Sequence, residues 1–313
     1  MSFRTPGLHH ITATTDGDQE DLDFFAGTLG LSLIKQTVNF DDHDVYHFYY
    51  ADAAGTPGSV MTTFPYGRKD VRQGQDGVGI TSRVAFSAPA GSREFWEQRF
   101  AERGVATEAA EVLGRPALLI SDPSGLPLAV AFGEDDREPA PGLDADVALR
   151  GVLGVQLRVR DAAPVAAFLA DGFGMEVTQT EAGVLAEAEG GGPGQMVELA
   201  EDDSAPEAKN GIGTVHHVAF RARTDADRDA LHERLEAEGV RVTETRDRFY
   251  FRSIYFRDRQ RTGGVLFEVA TDGPGFDRDE PADALGRELR LPPGVNDEQT
   301  VRAGLPDVVI PTP

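Results

Sequence analysis

Alternating apolar strand patterns, each followed by a helical pattern, recur four times along the chain. The first strands of these units are residues 10–13, 83–86, 154–157 and 217–220. Helical patterns follow, as in residues 93–100 and 229–235, and each ends near a glycine that can adopt a left-handed conformation. These glycines lie 20, 21, 20 and 22 residues after the start of their strands, at Gly30, Gly104, Gly174 and Gly239. More extended segments follow each glycine, so the repeat predicts four βαβββ units.

Units of this kind pair naturally into curved sheets that close around a cavity, which predicts an α+β fold with two open, barrel-like domains. We place unit one at residues 1–75, unit two at 76–142, unit three at 143–205 and unit four at 206–272. An acidic, proline-containing linker at residues 133–142 separates units two and three. A proline- and acid-rich tail, residues 273–313, should lie on the surface as loop and short helix.

The composition narrows the class of protein. A chain of 313 residues with 40% hydrophobic residues can form two domains with sizeable cores. It has no apolar run near 18 residues, which argues against a membrane span, and residues 1–6 lack the features of a signal peptide, so we expect a cytoplasmic location. With no cysteine, disulfides and thiolate chemistry are excluded.

The charge of the chain argues against nucleic acid as a partner. The formal net charge is −23, whereas phosphate binding needs a basic surface. Among the 30 basic residues only three are lysines: Lys35, Lys69 and Lys209. Adaptation to high salt explains both the excess of acids and the solubility of such a surface. A GC-rich genome, which favours arginine codons, is the alternative.

Two histidine pairs and one glutamate are the candidate chemistry. His9 and His10 begin the first strand of unit one, His216 and His217 begin that of unit four, and Glu268 lies in the last strand of unit four. Side chains alternate across a strand, and the face of the second histidine of each pair is the more polar. We therefore expect His10 and His217 to face the cavity and His9 and His216 to face the helices. Two imidazoles and one carboxylate predict a facial iron site with open positions.

The other units lack this set. Where units one and four have histidine, units two and three have Arg83 and Gly154. The positions that match Glu268 in units one, two and three are Thr62, Ala129 and Glu198. Units one and four should therefore share a metal-bearing barrel, and units two and three a metal-free one. There we expect Arg83 and Glu198 to approach each other as the remnant of a lost site, because a buried carboxylate needs a partner.

Several motifs of units one and four resemble a known family. They are residues 7–13 (GLHHITA), 37–42 (TVNFDD), 46–50 (YHFYY), 247–249 (DRF), 253–257 (SIYFR), 264–271 (GVLFEVAT) and 272–276 (DGPGF). They resemble the vicinal oxygen chelate superfamily of glyoxalases, bleomycin-resistance proteins and extradiol dioxygenases. Within it, they are most similar to the ring-cleaving dioxygenases that act on hydroquinones. Units two and three match by architecture alone.

The resemblance implies a function and its residues. His10, His217 and Glu268 would bind Fe(II), with Mn(II) as the alternative metal. The activity would be extradiol-type cleavage of a hydroquinone-like or catechol-like diol by O₂, and a homo-oligomer is left open. The residues implied around the metal are His9, Thr12, His216, Arg248 and Tyr255. Of these, His9, His216 and Tyr255 are candidates for proton transfer, and Arg248 could hold an anionic group.

Two other functions are compatible with this fold. A glyoxalase-like isomerase or lyase would need a second carboxylate, and unit one has Thr62 at the matching position. A non-catalytic small-molecule binding or resistance protein would need no metal ligands, so the two histidines and Glu268 argue against it. The sequence favours the dioxygenase.

Overall fold

The computed structural model describes residues 3–295 and 297–313, which form four successive βαβββ units. Unit one contains β1 (Leu8–Thr15), α1 (Asp18–Leu22), β2 (Ser32–Asn39), β3 (Asp42–Ala51) and β4 (Val60–Pro65). Unit two contains β5 (Ile80–Pro89), α2 (Arg93–Glu102), β6 (Glu108–Val112), β7 (Arg115–Ser121) and β8 (Pro127–Gly133). A π-helical segment, Asp23–Thr28, continues α1, and a 3₁₀ turn, Ala90–Ser92, precedes α2.

Units three and four repeat the pattern. Unit three contains β9 (Val152–Val159), α3 (Ala162–Phe173), β10 (Glu176–Thr180), β11 (Gly183–Glu187) and β12 (Met196–Glu201). Unit four contains β13 (Thr214–Ala222), α4 (Asp225–Ala237), β14 (Arg246–Asp247), β15 (Phe251–Arg257), α5 (Arg259–Thr262) and β16 (Leu266–Pro274). The tail contains two 3₁₀ turns, Phe276–Arg278 and Ala282–Ala284, and α6 (Glu298–Gly304), in agreement with the expected loop and short helix.

The sixteen described strands form two eight-stranded sheets. One has the order β14-β15-β16-β13-β1-β4-β3-β2, and the other has the order β10-β11-β12-β9-β5-β8-β7-β6. Each sheet is joined at its centre by an antiparallel pair, β1 with β13 and β5 with β9. Strands from units one and four thus share one sheet and strands from units two and three share the other. The predicted α+β fold with two barrel-like sheets is confirmed, and the exact unit boundaries stay a prediction.

The four glycines that the sequence placed after the helices all have positive φ angles. These angles are 69° at Gly30, 71° at Gly104, 68° at Gly174 and 81° at Gly239. A left-handed backbone is strained for residues with a Cβ atom, so these positions favour glycine and reverse the chain into the next strand. The predicted turn positions are confirmed.

The inner face of the second sheet is filled by apolar side chains. The residues that pack there include Ala85, Leu113, Ala129, Leu153 and Met196. Burial of these side chains removes apolar area from water, which stabilises this sheet.

Arg83 and Glu198, which we expected to approach each other, are joined through Gln156 and are not paired directly. Nε of Arg83 donates to Oε1 of Gln156 at 3.0 Å, and Nε2 of Gln156 donates to Oε2 of Glu198. The amide of Gln156 therefore stands between the two charged groups. It supplies one acceptor and one donor at once, so both groups have a partner without forming an ion pair.

The tail is held against unit one by a buried lysine. Lys35 in β2 is fully buried, and its Nζ donates to Asp279 at 2.8 Å and to Glu280. Tyr250 donates to Asp279 at 3.0 Å. The charges of Lys35 and Glu280 are paired inside the protein, which fixes the path of the tail.

None of the described helices is both long and apolar enough to cross a membrane.

Candidate metal centre

His10, His217 and Glu268 converge on the inner face of the first sheet. They come from three neighbouring strands, β1, β13 and β16. Nε2 of His10 lies 3.2 Å and Nε2 of His217 lies 2.8 Å from Oε2 of Glu268, and the two Nε2 atoms are 3.3 Å apart. In the described part of the chain this is the one group of three or more potential ligands that could hold a metal ion.

The surroundings of these three residues suit a cation. Glu268 is fully buried, and neither of its oxygens accepts a hydrogen bond of normal geometry from a described residue. Burial disfavours the charged carboxylate, but His10 and His217 hold its pKa well below the usual range. Burial lowers the pKa of His217, which favours the neutral ring. One carboxylate and neutral imidazoles are the forms that bind a divalent metal, and a fully buried carboxylate without a cation beside it is costly.

His9 and His216 contact the two central histidines, so the expectation that they face the helices is wrong. The register between β1 and β13 shifts at both residues, which makes each the extra residue of a β-bulge. A bulge breaks the alternation of side chains and re-aims the extra one. Nδ1 of His9 lies 2.9 Å from Nδ1 of His10, and Nδ1 of His216 lies 2.8 Å from Nδ1 of His217.

These nitrogen–nitrogen contacts fix the tautomers if the Nε2 atoms bind a metal. A neutral imidazole that uses Nε2 as a ligand carries its proton on Nδ1. His10 then donates to His9 and His217 donates to His216, so the two acceptors carry their protons on Nε2. Burial lowers the pKa of both His9 and His216 to about 3, with a further contribution from the adjacent histidine. Both outer histidines are therefore neutral at physiological pH.

A cavity of about 420 Å³ opens over this centre. Its walls include the aromatic side chains of Phe40, Tyr49, Phe64, Tyr66, Phe251 and Tyr255, and the polar side chains of Asn39, His47, Asn210, His216 and Arg248. Mostly apolar walls with a few polar groups are typical of small-molecule sites. A larger, more open depression of about 830 Å³ lies elsewhere, between α1 and the second sheet, and contains none of the three central residues.

Arg248 and Tyr255 lie together at the cavity wall. Nε of Arg248 donates to the Tyr255 hydroxyl at 3.2 Å, and its Nη2 lies 3.1 Å from Oδ2 of Asp41. Tyr255 is directly opposite Glu268 in the β15–β16 pair, and its ring centroid is 5.7 Å from that of His217. Burial raises the pKa of Tyr255, so its hydroxyl stays protonated and can donate to a bound molecule.

Thr12, which the sequence singled out, and four further residues complete the surroundings of the site. Thr12 is fully buried, and its hydroxyl lies 2.8 Å from that of Thr62. His47 contacts Thr62 and Tyr49 and lies beside the cavity. The sequence did not indicate that Tyr49 and Thr62 are partners of His47, or that Asp41 is the partner of Arg248. The signal for Tyr49 was present, because residues 47 and 49 share one face of a strand.

The comparisons with known proteins agree with this geometry. The profile of the "Glyoxalase/Bleomycin resistance protein/Dioxygenase superfamily" matches residues 151–269. A protein of Bacillus subtilis (strain 168) named as a candidate ring-cleaving dioxygenase, MhqO, is 37% identical over 295 residues, which cover 93% of each chain. The chlorohydroquinone/hydroquinone 1,2-dioxygenase of Sphingobium indicum is 32% identical, and the match covers 94% of this chain and 95% of that one.

A solved structure extends the agreement to three dimensions. The crystal structure of a candidate dioxygenase from Bacillus subtilis superposes with a TM-score of 0.91 at 36% identity and covers 99% of both chains. Identity at this level over nearly the whole chain identifies the family, whereas the profile alone matches less than half of the chain. The chain belongs to the glyoxalase/bleomycin resistance protein/dioxygenase superfamily, among its ring-cleaving dioxygenases.

Proposed function

We propose that this protein is an Fe(II)-dependent, extradiol-type dioxygenase that cleaves the ring of a hydroquinone-like or catechol-like diol with O₂. The observation that carries the proposal is the convergence of His10, His217 and Glu268 beneath a mainly aromatic cavity. A relative that is named a chlorohydroquinone/hydroquinone 1,2-dioxygenase supports the substrate class. When bound, ferrous iron supplies open coordination positions and the redox chemistry that dioxygen requires.

The protein's own residues bind and orient the ring. The aromatic walls exclude water and contact the faces of a planar substrate. With the tautomers given above, His216 presents an Nε2–H group at the cavity wall, where it can donate to an oxygen that gains negative charge. The hydroxyl of Tyr255 accepts from Arg248, which leaves its proton available to the substrate. His216 and Tyr255 thus act as hydrogen-bond donors. This role is narrower than the proton transfer for which the sequence made them candidates.

His9 and Thr12 have supporting roles in this proposal. His9 is buried behind His10, with its ring centroid 5.0 Å from that of Phe251. It accepts the Nδ1 proton of His10 and so fixes the orientation of that ring, as the outer partners of metal-bound histidines do. Thr12 is buried and contacts Thr62, so it positions the wall of the site and does not touch substrate.

The glyoxalase-like alternative lacks its second carboxylate. Thr62 occupies the position in β4 that corresponds to Glu268 in β16, and its hydroxyl is engaged by Thr12 and His47. A hydroxyl held in this way is a poor substitute for a carboxylate ligand. The non-catalytic alternative gives no reason for a fully buried Glu268 beside the Nε2 atoms of two histidines.

Oxygen uptake tests the proposal. The metal-free protein is loaded with Fe(II) without oxygen and then supplied with O₂ and either hydroquinone or catechol. We expect uptake that depends on both iron and the diol. Glu268→Gln should lose most of this activity, because a neutral amide is a poor metal ligand, whereas Glu198→Gln, the matched change in the second sheet, should retain it. Uptake independent of iron, or undiminished in Glu268→Gln, would contradict the proposal.

A further inference from the structure

A row of polar side chains crosses the first sheet, starting at the candidate metal centre. In the strand register His217 of β13 is opposite Thr12 of β1, Thr12 is opposite Thr62 of β4, and Thr62 is opposite Tyr49 of β3. Residues directly opposite one another on neighbouring strands share a face of the sheet. All four side chains therefore lie on the inner face, in one line across four strands.

Hydrogen bonds connect this row through His47. The hydroxyls of Thr12 and Thr62 are 2.8 Å apart, Oγ1 of Thr62 is 2.9 Å from Nε2 of His47, and Nδ1 of His47 is 3.0 Å from the Tyr49 hydroxyl. All four residues are buried. His47 and Tyr49 border the cavity, whereas Thr12 and Thr62 are not among the residues that line it. The chain of hydrogen bonds thus runs from the two buried threonines to a phenol at the cavity.

The hydroxyl of Tyr49 has hydrogen-bonding capacity left over. Among residues 3–295 and 297–313 its hydrogen-bond partner is His47. A phenol can donate one hydrogen bond and also accept. If Tyr49 donates to Nδ1 of His47, the Nε2–H group donates to Thr62 and the phenol oxygen can accept from a bound molecule. If all directions reverse, the phenol can donate instead. The row therefore holds the phenol oxygen of Tyr49 in place and leaves it able either to accept or to donate a hydrogen bond.

We propose that the Tyr49 hydroxyl binds the second hydroxyl group of the diol, the one that does not approach the metal, and that His47, Thr62 and Thr12 are positioning residues for it. The inference rests on the proposed function. It adds a substrate preference to that function, for para-diols, whose hydroxyls are at opposite ends of the ring. Neighbouring strands are about 4.8 Å apart, and three strand steps separate His217 from Tyr49. This separation leaves room for a ring between the two side chains. Because inner-face side chains of a curled sheet converge, both can still reach the same ring. The two adjacent hydroxyls of an ortho-diol would both stay near the metal centre.

The same strands offer matched controls. Tyr50 and Thr63 follow Tyr49 and Thr62 in the sequence and face the opposite side of the sheet. Both donate to Oδ2 of Asp21, at 2.7 and 2.6 Å. Tyr50→Phe and Thr63→Val therefore remove the same atoms from equally buried positions that do not border the cavity.

The test is a binding measurement without oxygen, on the Fe(II)-loaded protein, with hydroquinone, catechol and 4-methylphenol as ligands. The methyl group of 4-methylphenol replaces the second hydroxyl at nearly the same size. We expect Tyr49→Phe to weaken hydroquinone binding about tenfold, the effect of one hydrogen bond, and to leave 4-methylphenol binding unchanged. Tyr50→Phe should change neither. Thr62→Val should weaken hydroquinone binding selectively and Thr62→Ser should restore it, since serine keeps the hydroxyl.

Each outcome of these binding measurements supports or overturns the proposed role of Tyr49. Equal losses for hydroquinone and 4-methylphenol would show a merely structural effect and overturn the inference, as would wild-type affinity in Tyr49→Phe. An equal loss of catechol binding in Tyr49→Phe would overturn the preference for para-diols. If the wild type takes up O₂ with hydroquinone but Tyr49→Phe binds it normally, only this inference fails. If the wild type binds neither phenol, the proposed function fails with it.

Discussion

Replacing Glu268 by glutamine should remove most of the stabilisation that a divalent metal ion gives to the folded protein. Glu268 supplies the only negative charge among the three converging residues. It is fully buried, and Oε2 lies within 3.2 Å of both Nε2 atoms. An uncharged amide in this place keeps the size of the side chain and removes the charge that attracts the metal.

The expected effect is large enough to measure. A metal at 100 times its Kd stabilises the folded state by about 2.7 kcal/mol. Loss of a residue that merely orients a ligand weakens metal binding by about 10–100-fold, so loss of the charged ligand itself should cost at least the upper value. At the same metal concentration the variant would then gain only about 0.4 kcal/mol.

Thermal unfolding with and without anaerobic Fe(II) provides the assay. The wild type should melt several degrees higher with metal, and Glu268→Gln should melt at nearly the same temperature in both conditions. Glu198→Gln is the matched control, because Glu198 is also buried but pairs with Gln156. It should keep the full shift. A full metal shift in Glu268→Gln, or its loss in Glu198→Gln, would refute the reasoning.

Three further predictions concern stability. Burial raises the pKa of Asp21 from 3.8 to about 7. Because the pKa is raised in the folded state, this carboxyl lowers the free energy of unfolding as pH rises from about 4 to 7, by roughly 4 kcal/mol at most. Asp21→Asn should therefore stabilise the protein at pH 8 but not at pH 4, and equal effects in chemical denaturation at both pH values would contradict this. Lys35→Met leaves Asp279 and Glu280 without their buried cation, which should cost about 3–5 kcal/mol and expose the tail to proteases; an unchanged unfolding midpoint would count against it. If the charge of −23 is an adaptation to salt, the melting temperature should fall on dilution from molar to low salt, and a flat profile would favour codon bias.

The periodic features of the sequence predicted the fold well. The four glycines, the order of strands in each unit and the convergence of His10, His217 and Glu268 all follow from offsets that repeat between units. These offsets are reliable because each unit must bury one face of its strands beneath a helix. The role of the three converging residues as metal ligands stays a prediction until a metal is measured.

Local irregularities and long side chains were not predictable. Strict alternation turned His9 and His216 toward the helices, but each is the extra residue of a bulge, and nothing in the spacing marks a bulge. The offsets brought Arg83 and Glu198 to matching positions, but Gln156 reaches between them. Side-chain partners across a barrel depend on rotamers and on the curl of the sheet, which the pattern of apolar residues does not encode.

The fate of the two oxygen atoms tests the central claim most directly. The Fe(II)-loaded protein is supplied with hydroquinone and dioxygen labelled with oxygen-18, and the product is weighed by mass spectrometry at once, before its oxygens exchange with water. A ring-cleaving dioxygenase should give an open-chain product that carries two labelled atoms. An unlabelled quinone, formed by simple oxidation of the intact ring, would contradict the account.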